Sequence, residues 1–342
     1  MTDKQSLLNL IDNYKDTIYA IIGFMNFYRY NDSTASDRSD VLVFQGRKLF
    51  RKDTADKEGN EKKYITPDIG VFLPEGIGLI GEVKNSFSKD RTLWEKEFEQ
   101  VVSYDNEFVG WPGKTGEVRN HDIVLLVHYS RAVDVRDYYR EGKNDRLKIS
   151  RPFCIVEYQR MNQSKSFVSF RIQEGTLSNS EIHRKLYSGK MVPMDVFIEK
   201  YSTVKIVDSE PPLPYLLQLI FENIILQRAI EHPNFGRINK RQKLEVKISV
   251  DEIVETLSMG FSFRTLESNF ADEHRTPRRE WVLRACDKLV STGEAKWITP
   301  DDKNELLAFY RIYENVLDHY IAICGDEGLP AGVEQTNLFE QN

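Results

Sequence analysis

Apolar side chains at Leu7, Leu8, Ile11, Ile18, Ile21, Ile22 and Met25 recur at helical spacing and predict a helix over residues 5–30 with one buried face. After a polar break at 31–40 the pattern turns to strand at 41–44. A charged loop at 52–63 then leads into two β-rich runs, 64–73 and 77–87, which Pro74, Glu75 and Gly76 separate as a hairpin turn would. Helical spacing returns over 91–108 through Leu93, Trp94, Phe98, Val101, Val102 and Phe108, and strands are expected at 122–129, 153–158 and 167–172. Helix, strands, helix and strands again predict an α/β layer on a mixed sheet. Clustered prolines at 208–214 end helix and ladder alike and mark a linker between a first domain at 1–207 and a second at 215–324.

The second domain opens with an apolar helix at 215–231. Helices near 250–257 and 263–271 follow, and a third starts at Thr276 as N-cap, with Pro277 in its first turn and Glu280 four residues on. Gly293 stops that helix; residues 294–298 form a strand that turns at 299–304 and returns through 306–312. Thr299-Pro300-Asp301-Asp302 is also a good helix start, so one long helix over 302–323 is the competing expectation. Residues 325–342 read as a flexible tail.

Composition narrows the class. The 342 residues suit two domains, and 40% hydrophobic with 29% charged residues can fill a core, which excludes a disordered or fibrous chain. The apolar stretches at 18–27 and 215–230 are too short to span a bilayer or are interrupted by Gln218, Glu222, Asn223 and Gln227, so no membrane association is expected. With no secretory pattern behind Asp3 and Lys4, a cytoplasmic location is expected, and Cys154, Cys286 and Cys324 read as reduced thiols. A net charge of -6 gives no global attraction for nucleic acid, so any such contact must be local. The local candidates are Arg275, Arg278, Arg279, Arg284 and Lys288, on the polar side of a helix whose Val282, Leu283, Cys286 and Leu289 face inward.

The chemistry concentrates in Thr66-Pro67-Asp68-Ile69-Gly70-Val71-Phe72 and Gly78-Leu79-Ile80-Gly81-Glu82-Val83-Lys84. Both segments are apolar enough to be interior strands, where a charge is costly unless it is paired or binds metal. Glu82 and Lys84 point to one face, and a hairpin centred on Glu75 puts Asp68 across from Glu82. Two carboxylates suit a hard cation such as Mg²⁺, and the ammonium can hold or help deprotonate a nucleophilic water, which makes a phosphodiesterase site.

Pro67-Asp68 followed by Glu82-x-Lys84 in a strand–turn–strand context resembles the PD-(D/E)xK, restriction-endonuclease-like nuclease superfamily, and Gln100-x-x-x-Tyr104 on the next helix is similar to its RecB-like branch. The resemblance covers about residues 1–175. It implies a restriction-endonuclease-like mixed sheet flanked by helices. It also implies Mg²⁺, with Mn²⁺ as substitute, held by Asp68, Glu82 and the carbonyl of Val83, with Lys84 positioning the attacking water. Gln100 and Tyr104 share a helix face and are supporting residues. One departure stands out: many members add a glutamate from the first helix, whereas no Glu precedes Glu58 here, leaving Asp12 or Asp16 as the substitute. The order of elements at 250–312 resembles a winged helix, a mainly α DNA-binding module.

Other motifs carry less. Gly113-Lys114-Thr115 imitates the end of a phosphate-binding loop, but the earlier glycine position holds Phe108; the six histidines lack zinc spacing. In the tail, Gln335, Leu338 and Phe339 form a Gln-x-x-Leu-Phe pattern that resembles the peptide by which bacterial proteins dock on the replication sliding clamp. The expected activity is metal-dependent DNA hydrolysis in repair, restriction or phage defence. Its rival is a catalytically silent DNA-binding scaffold that uses the winged helix and the tail.

Overall fold

A computed structural model describes residues 3–29, 42–45, 49–51, 64–65, 67–72, 77–85, 87–88, 90–106, 108–110, 120–143, 145–162, 166–194, 206, 210–239, 242–258 and 277–325. The chain divides into two compact units: one comprises residues 16–202 with 263–270, the other 1–15, 203–262 and 271–342. The start of the first helix is grouped with the C-terminal unit.

The first unit is built on a seven-stranded mixed sheet. Helix α1 (Asp3–Arg29) precedes strands β1 (Leu42–Gln45), β2 (Leu49–Arg51), β3 (Tyr64–Ile65), β4 (Ile69–Phe72) and β5 (Ile77–Lys84). Next come α2 (Trp94–Asn106), β6 (Phe108–Gly110), β7 (Asn120–His128), α3 (Tyr129–Gly142), β8 (Phe153–Asn162), β9 (Ser166–Gly175), α4 (Ser180–Tyr187) and β10 (Lys190–Pro193). The strand order is β1-β4-β5-β7-β8-β9-β10, and β3-β2-β6 form a small separate sheet. The run 64–73, expected to be one strand, is thus split between two sheets. Pro67, which lacks an N–H, lies at the break.

β4 and β5 are antiparallel, whereas β5, β7 and β8 run parallel, with α2 and α3 as the crossovers that parallel neighbours require. Ile123, Val124, Leu125, Leu126 and Val127 on β7 are all fully buried, the continuous apolar run of a strand covered on both faces. One face of the sheet packs Ile80, Leu125, Val127 and Ile155 against Trp94, Phe98, Val101 and Tyr104 of α2 and Ala132, Val135 and Tyr138 of α3. The other face meets α1, where Phe24 packs edge-on against Phe170 of β9 at 5.4 Å. Beside the future site, Gly81 lets β4 approach closely, because a Cβ there would lie 3.1 Å from the Cβ of Ile69.

The second unit holds α5 (Leu213–Ile220), which continues through a π-helical turn (Phe221–Ile225) into α6 (Leu226–Ile230). Then follow β11 (Leu244–Ser249), α7 (Val250–Ser258), α8 (Arg279–Ser291), β12 (Ala295–Trp297), β13 (Glu305–Tyr310) and α9 (Val316–Cys324). The expected linker shortens, because Leu213 and Pro214 already belong to the first turn of α5, where proline is tolerated. β11-β13-β12 form an antiparallel sheet, with Leu244, Val246 and Ile248 inward and Glu245 and Lys247 outward. Its existence overturns the long helix over 302–323: Leu306, Ala308 and Tyr310 are buried as strand residues, the first two paired on both sides. α8 begins at Arg279 with Arg278 as a cap that makes no side-chain bond, and Thr276, expected to cap it, lies outside the described residues. Trp281, Val282, Ala285, Cys286 and Leu289 form its inward face, with Leu283 only half-buried. The helix expected at 263–271 also lies outside the described residues. No described helix is long and apolar enough to cross a membrane.

Candidate functional site

The β4–β5 register pairs Ile69 with Gly81 and Phe72 with Gly78, so continuing the ladder by one residue sets Asp68 opposite Glu82. Asp68 precedes the strand, and its Oδ2 accepts a 2.8 Å hydrogen bond from the backbone N–H of Val83. Glu82 is buried (4% exposed) in the middle of the sheet. Lys84, two residues on and therefore on the same face, places Nζ 3.1 Å from Glu82 Oε1.

α2 closes the arrangement. Its i, i+4 pair brings Gln100 and Tyr104 onto the Glu82 carboxylate: Tyr104 Oη donates to Oε2 at 2.7 Å and Gln100 Nε2 donates to the same oxygen at 3.0 Å. Gln100 Nε2 also donates to Tyr104 Oη at 2.9 Å, while its Oε1 accepts from Lys84 Nζ at 3.2 Å. The lysine on the oxygen and the acceptors on the nitrogen fix the orientation of the amide. Gln100 and Tyr104 thus hold Glu82 and Lys84 in place.

Burial raises the proton affinity of Glu82, with Lys84 and Tyr104 opposing it. Burial also works to lower Lys84, but Glu82 above all, then Asp68 and Glu97, outweigh it and the net shift is upward. Lys84 is therefore an ammonium at neutral pH, suited to holding a water or a phosphate oxygen and not to deprotonating either. Tyr104 is pushed far up by burial and by Glu82 and Asp68, so its hydroxyl stays a donor.

The other buried acids have different tasks. Asp105 accepts from the backbone N–H groups of Ser150 and Arg151 at 2.9 Å each, and Asp122 accepts from Ser178 N–H at 2.8 Å; both pin loops. Glu294 of the second unit is bonded by Tyr313 Oη at 2.9 Å. Glu82 alone among these buried acids faces a lysine on its own strand.

On the opposite face, at the same end of the parallel strands, a second cluster joins Asp16 to residues that the sequence did not single out. Asp16 of α1 meets Arg160 Nη1 of β8 at 3.0 Å and His128 Nε2 of β7 at 3.9 Å. Tyr158 is the register partner of His128 and packs edge-on to its ring at 5.5 Å. Thr17 hydrogen-bonds Asn85, the residue after Lys84. The signals were faint: Asp16 was one of two acids offered as the helix carboxylate, and Tyr158-x-Arg160 has the spacing of one strand face. Asp12, the other acid offered, is exposed.

Among the described residues no three His, Cys, Asp or Glu side chains stand close enough to enclose a metal ion. Asp68 and Glu82 are nonetheless a donor set that fits a cation keeping most of its water, since Mg²⁺ is usually held by one or two carboxylates.

The basic residues of α8 are not brought together as open contacts. Arg279 pairs with Asp251 and donates to Asn304 Oδ1 at 2.7 Å, and Arg284 lies 2.5 Å from Glu210. Arg278 is exposed and sits over the Trp281 ring, Lys288 is half-buried, and Arg275 lies outside the described residues. The β12–β13 turn carries Asp301 and Asp302 and is tied to α8 by Lys303, which donates to Asp287 at 2.9 Å. Gln335, Leu338 and Phe339 lie outside the described residues, as do Gly113, Lys114 and Thr115. No family model matches the chain, and no curated protein or solved structure is significantly similar to it.

Proposed function

We propose that the protein is a Mg²⁺-dependent nuclease of the PD-(D/E)xK type that hydrolyses phosphodiester bonds in DNA. The observation that carries this reading is the buried Glu82–Lys84 pair, locked by Gln100 and Tyr104, with Asp68 bonded to the intervening Val83 backbone. A purely structural ion pair needs no neighbouring second carboxylate. This one lies at the C-terminal ends of parallel strands, where open α/β sheets bind ligands. The α1-first mixed sheet with α2 on one face and α1 on the other supports the restriction-endonuclease-like reading.

Asp68, Glu82 and the Val83 carbonyl would hold the cation, which when bound supplies Lewis-acid stabilisation of charge on the phosphate. The chain's own groups do the rest. Lys84 holds the attacking water and offsets negative charge as the phosphorus becomes pentacoordinate. Gln100 orients Lys84 through its Oε1 and Glu82 through its Nε2. Tyr104 keeps a proton on its own oxygen and so leaves Glu82 an acceptor. In the second unit the order β11, α7, α8, β12, β13 supports a winged-helix reading in which Arg278 contacts the phosphate backbone. The terminal Gln335, Leu338 and Phe339 are read as a sliding-clamp peptide.

Labelled linear, circular, single-stranded and branched DNAs, with an RNA control, should be incubated with Mg²⁺, Mn²⁺ or EDTA. Cleavage should require the metal, and Asp68→Asn, Glu82→Gln and Lys84→Met should each reduce it by about a thousandfold, several kcal/mol of transition-state stabilisation. Cleavage in EDTA, or retained by all three variants, refutes the site. Absence of cleavage on every substrate, with DNA binding intact, would leave the silent scaffold.

A further inference from the structure

Tyr158 is fully buried on β8, yet its hydroxyl has no hydrogen-bond partner among the described residues. A phenol taken out of water normally finds one, so the orphan calls for a ligand or a physical reason. Its surroundings are polar. His128 lies edge-on, Arg160 follows two residues along the same strand face, and Asp16 is held by Arg160 with the His128 ring 3.9 Å away. The charges of Asp16 and Asp68 both reach the phenol and, behind burial, hold its pKa well above the ordinary value. The hydroxyl is therefore a permanent donor. Asp68 acts in the same way on Lys84 and Tyr104, so its charge is felt in both clusters.

We propose that Tyr158 is a positioning residue of this site: its hydroxyl donates a hydrogen bond to a water in the hydration shell of a divalent cation held by Asp68, on the side of Asp16. The proposal rests on the metal-dependent reading above. A group lodged between an O–H donor and two acceptor-only carboxylates must accept from the first and donate to the others. Water does both. A phosphate oxygen only accepts, and it would be repelled by Asp16 and Asp68. A cation polarises such a water and strengthens its donation to the carboxylates, which is how an outer-shell hydroxyl gains influence over a metal it does not touch.

The test is Tyr158→Phe in the full chain, with Mn²⁺ binding followed by electron paramagnetic resonance and thermal unfolding recorded with and without Mn²⁺. Removing an orphaned hydroxyl relieves a desolvation penalty, so metal-free Tyr158→Phe should unfold at the wild-type temperature or up to about 4 °C above it. Its Mn²⁺ affinity should fall about fivefold, the worth of one ordinary hydrogen bond, and the stabilisation by Mn²⁺ should shrink accordingly. Unchanged or higher Mn²⁺ affinity overturns the proposal. So does a lower metal-free unfolding temperature or a failure to fold, because either means that the hydroxyl makes a structural bond. Asp68→Asn separates the two layers: if it abolishes Mn²⁺ binding while Tyr158→Phe binds as wild type does, only Tyr158 is misassigned. A wild type that binds no Mn²⁺ removes the metal-dependent reading, and this proposal with it.

Discussion

His121 offers a quantitative test of how the site is braced. It is the second residue of β7, 2% exposed, with Nε2 3.0 Å from the carbonyl oxygen of Tyr104, the residue whose hydroxyl holds Glu82. The Nε2–H tautomer donates to that carbonyl. Burial lowers the His121 pKa from 6.5 to about 4, the Tyr104 bond opposing and Arg151 assisting. In the unfolded chain the ring has its ordinary affinity, so between pH 6.5 and about 4 the unfolded state binds the proton and the folded state does not. Stability must then fall as pH falls through this window, by up to about 1.4 kcal/mol per pH unit and about 3 kcal/mol in all. Above pH 6.5 the ring is neutral in both states and contributes no slope.

His121→Gln keeps an N–H donor for the carbonyl and removes the titration. Urea unfolding at intervals from pH 7.5 to about 3 gives the difference in stability between the two proteins, in which carboxylate titrations common to both cancel. Wild type should lose stability faster than His121→Gln below pH 6.5, and the excess should saturate near pH 4. Parallel curves across the window, or a His121 resonance that titrates near 6.5 in the folded protein, would refute the account of a desolvated ring.

Two further expectations follow from the second unit and the tail. Arg278→Ala should weaken DNA binding and lower the salt slope by about 0.9, one phosphate contact. Arg279→Ala and Arg284→Ala should scarcely change it, because Asp251 with Asn304 and Glu210 already hold those guanidiniums; filter binding across salt concentrations gives the slopes, and equal effects would refute the distinction. Leu338→Ala combined with Phe339→Ala should abolish capture by a sliding clamp and leave cleavage of free DNA unchanged; retained capture, or none by wild type, refutes the docking peptide.

Much of the Glu82 site follows from periods that are local to the chain. A strand alternates every residue, so Glu82 and Lys84 share a face wherever the strand is packed. The β4–β5 pairing has the register of a hairpin centred on Glu75, and that register alone sets Asp68 across from Glu82. Helical spacing likewise stacks Gln100 over Tyr104 before anything is known of their neighbours. Long-range packing decided the remainder. That Gln100 and Tyr104 face Glu82 depends on α2 crossing over the sheet between β5 and β7. The cluster of Asp16, His128, Tyr158 and Arg160 draws on α1, β7 and β8, with Asp16 more than a hundred residues before the other three, and no local period encodes that meeting. α3 escaped the pattern because its sequence is mostly polar, with only a narrow stripe through Ala132, Val135 and Tyr138 reaching the core. Basic residues on α8 were visible as charges, but whether a guanidinium is open to a phosphate depends on which carboxylate the fold sets beside it. Asp251 and Glu210 lie 28 and 74 residues away from their arginines, and Coulomb attraction acts through space, not along the chain.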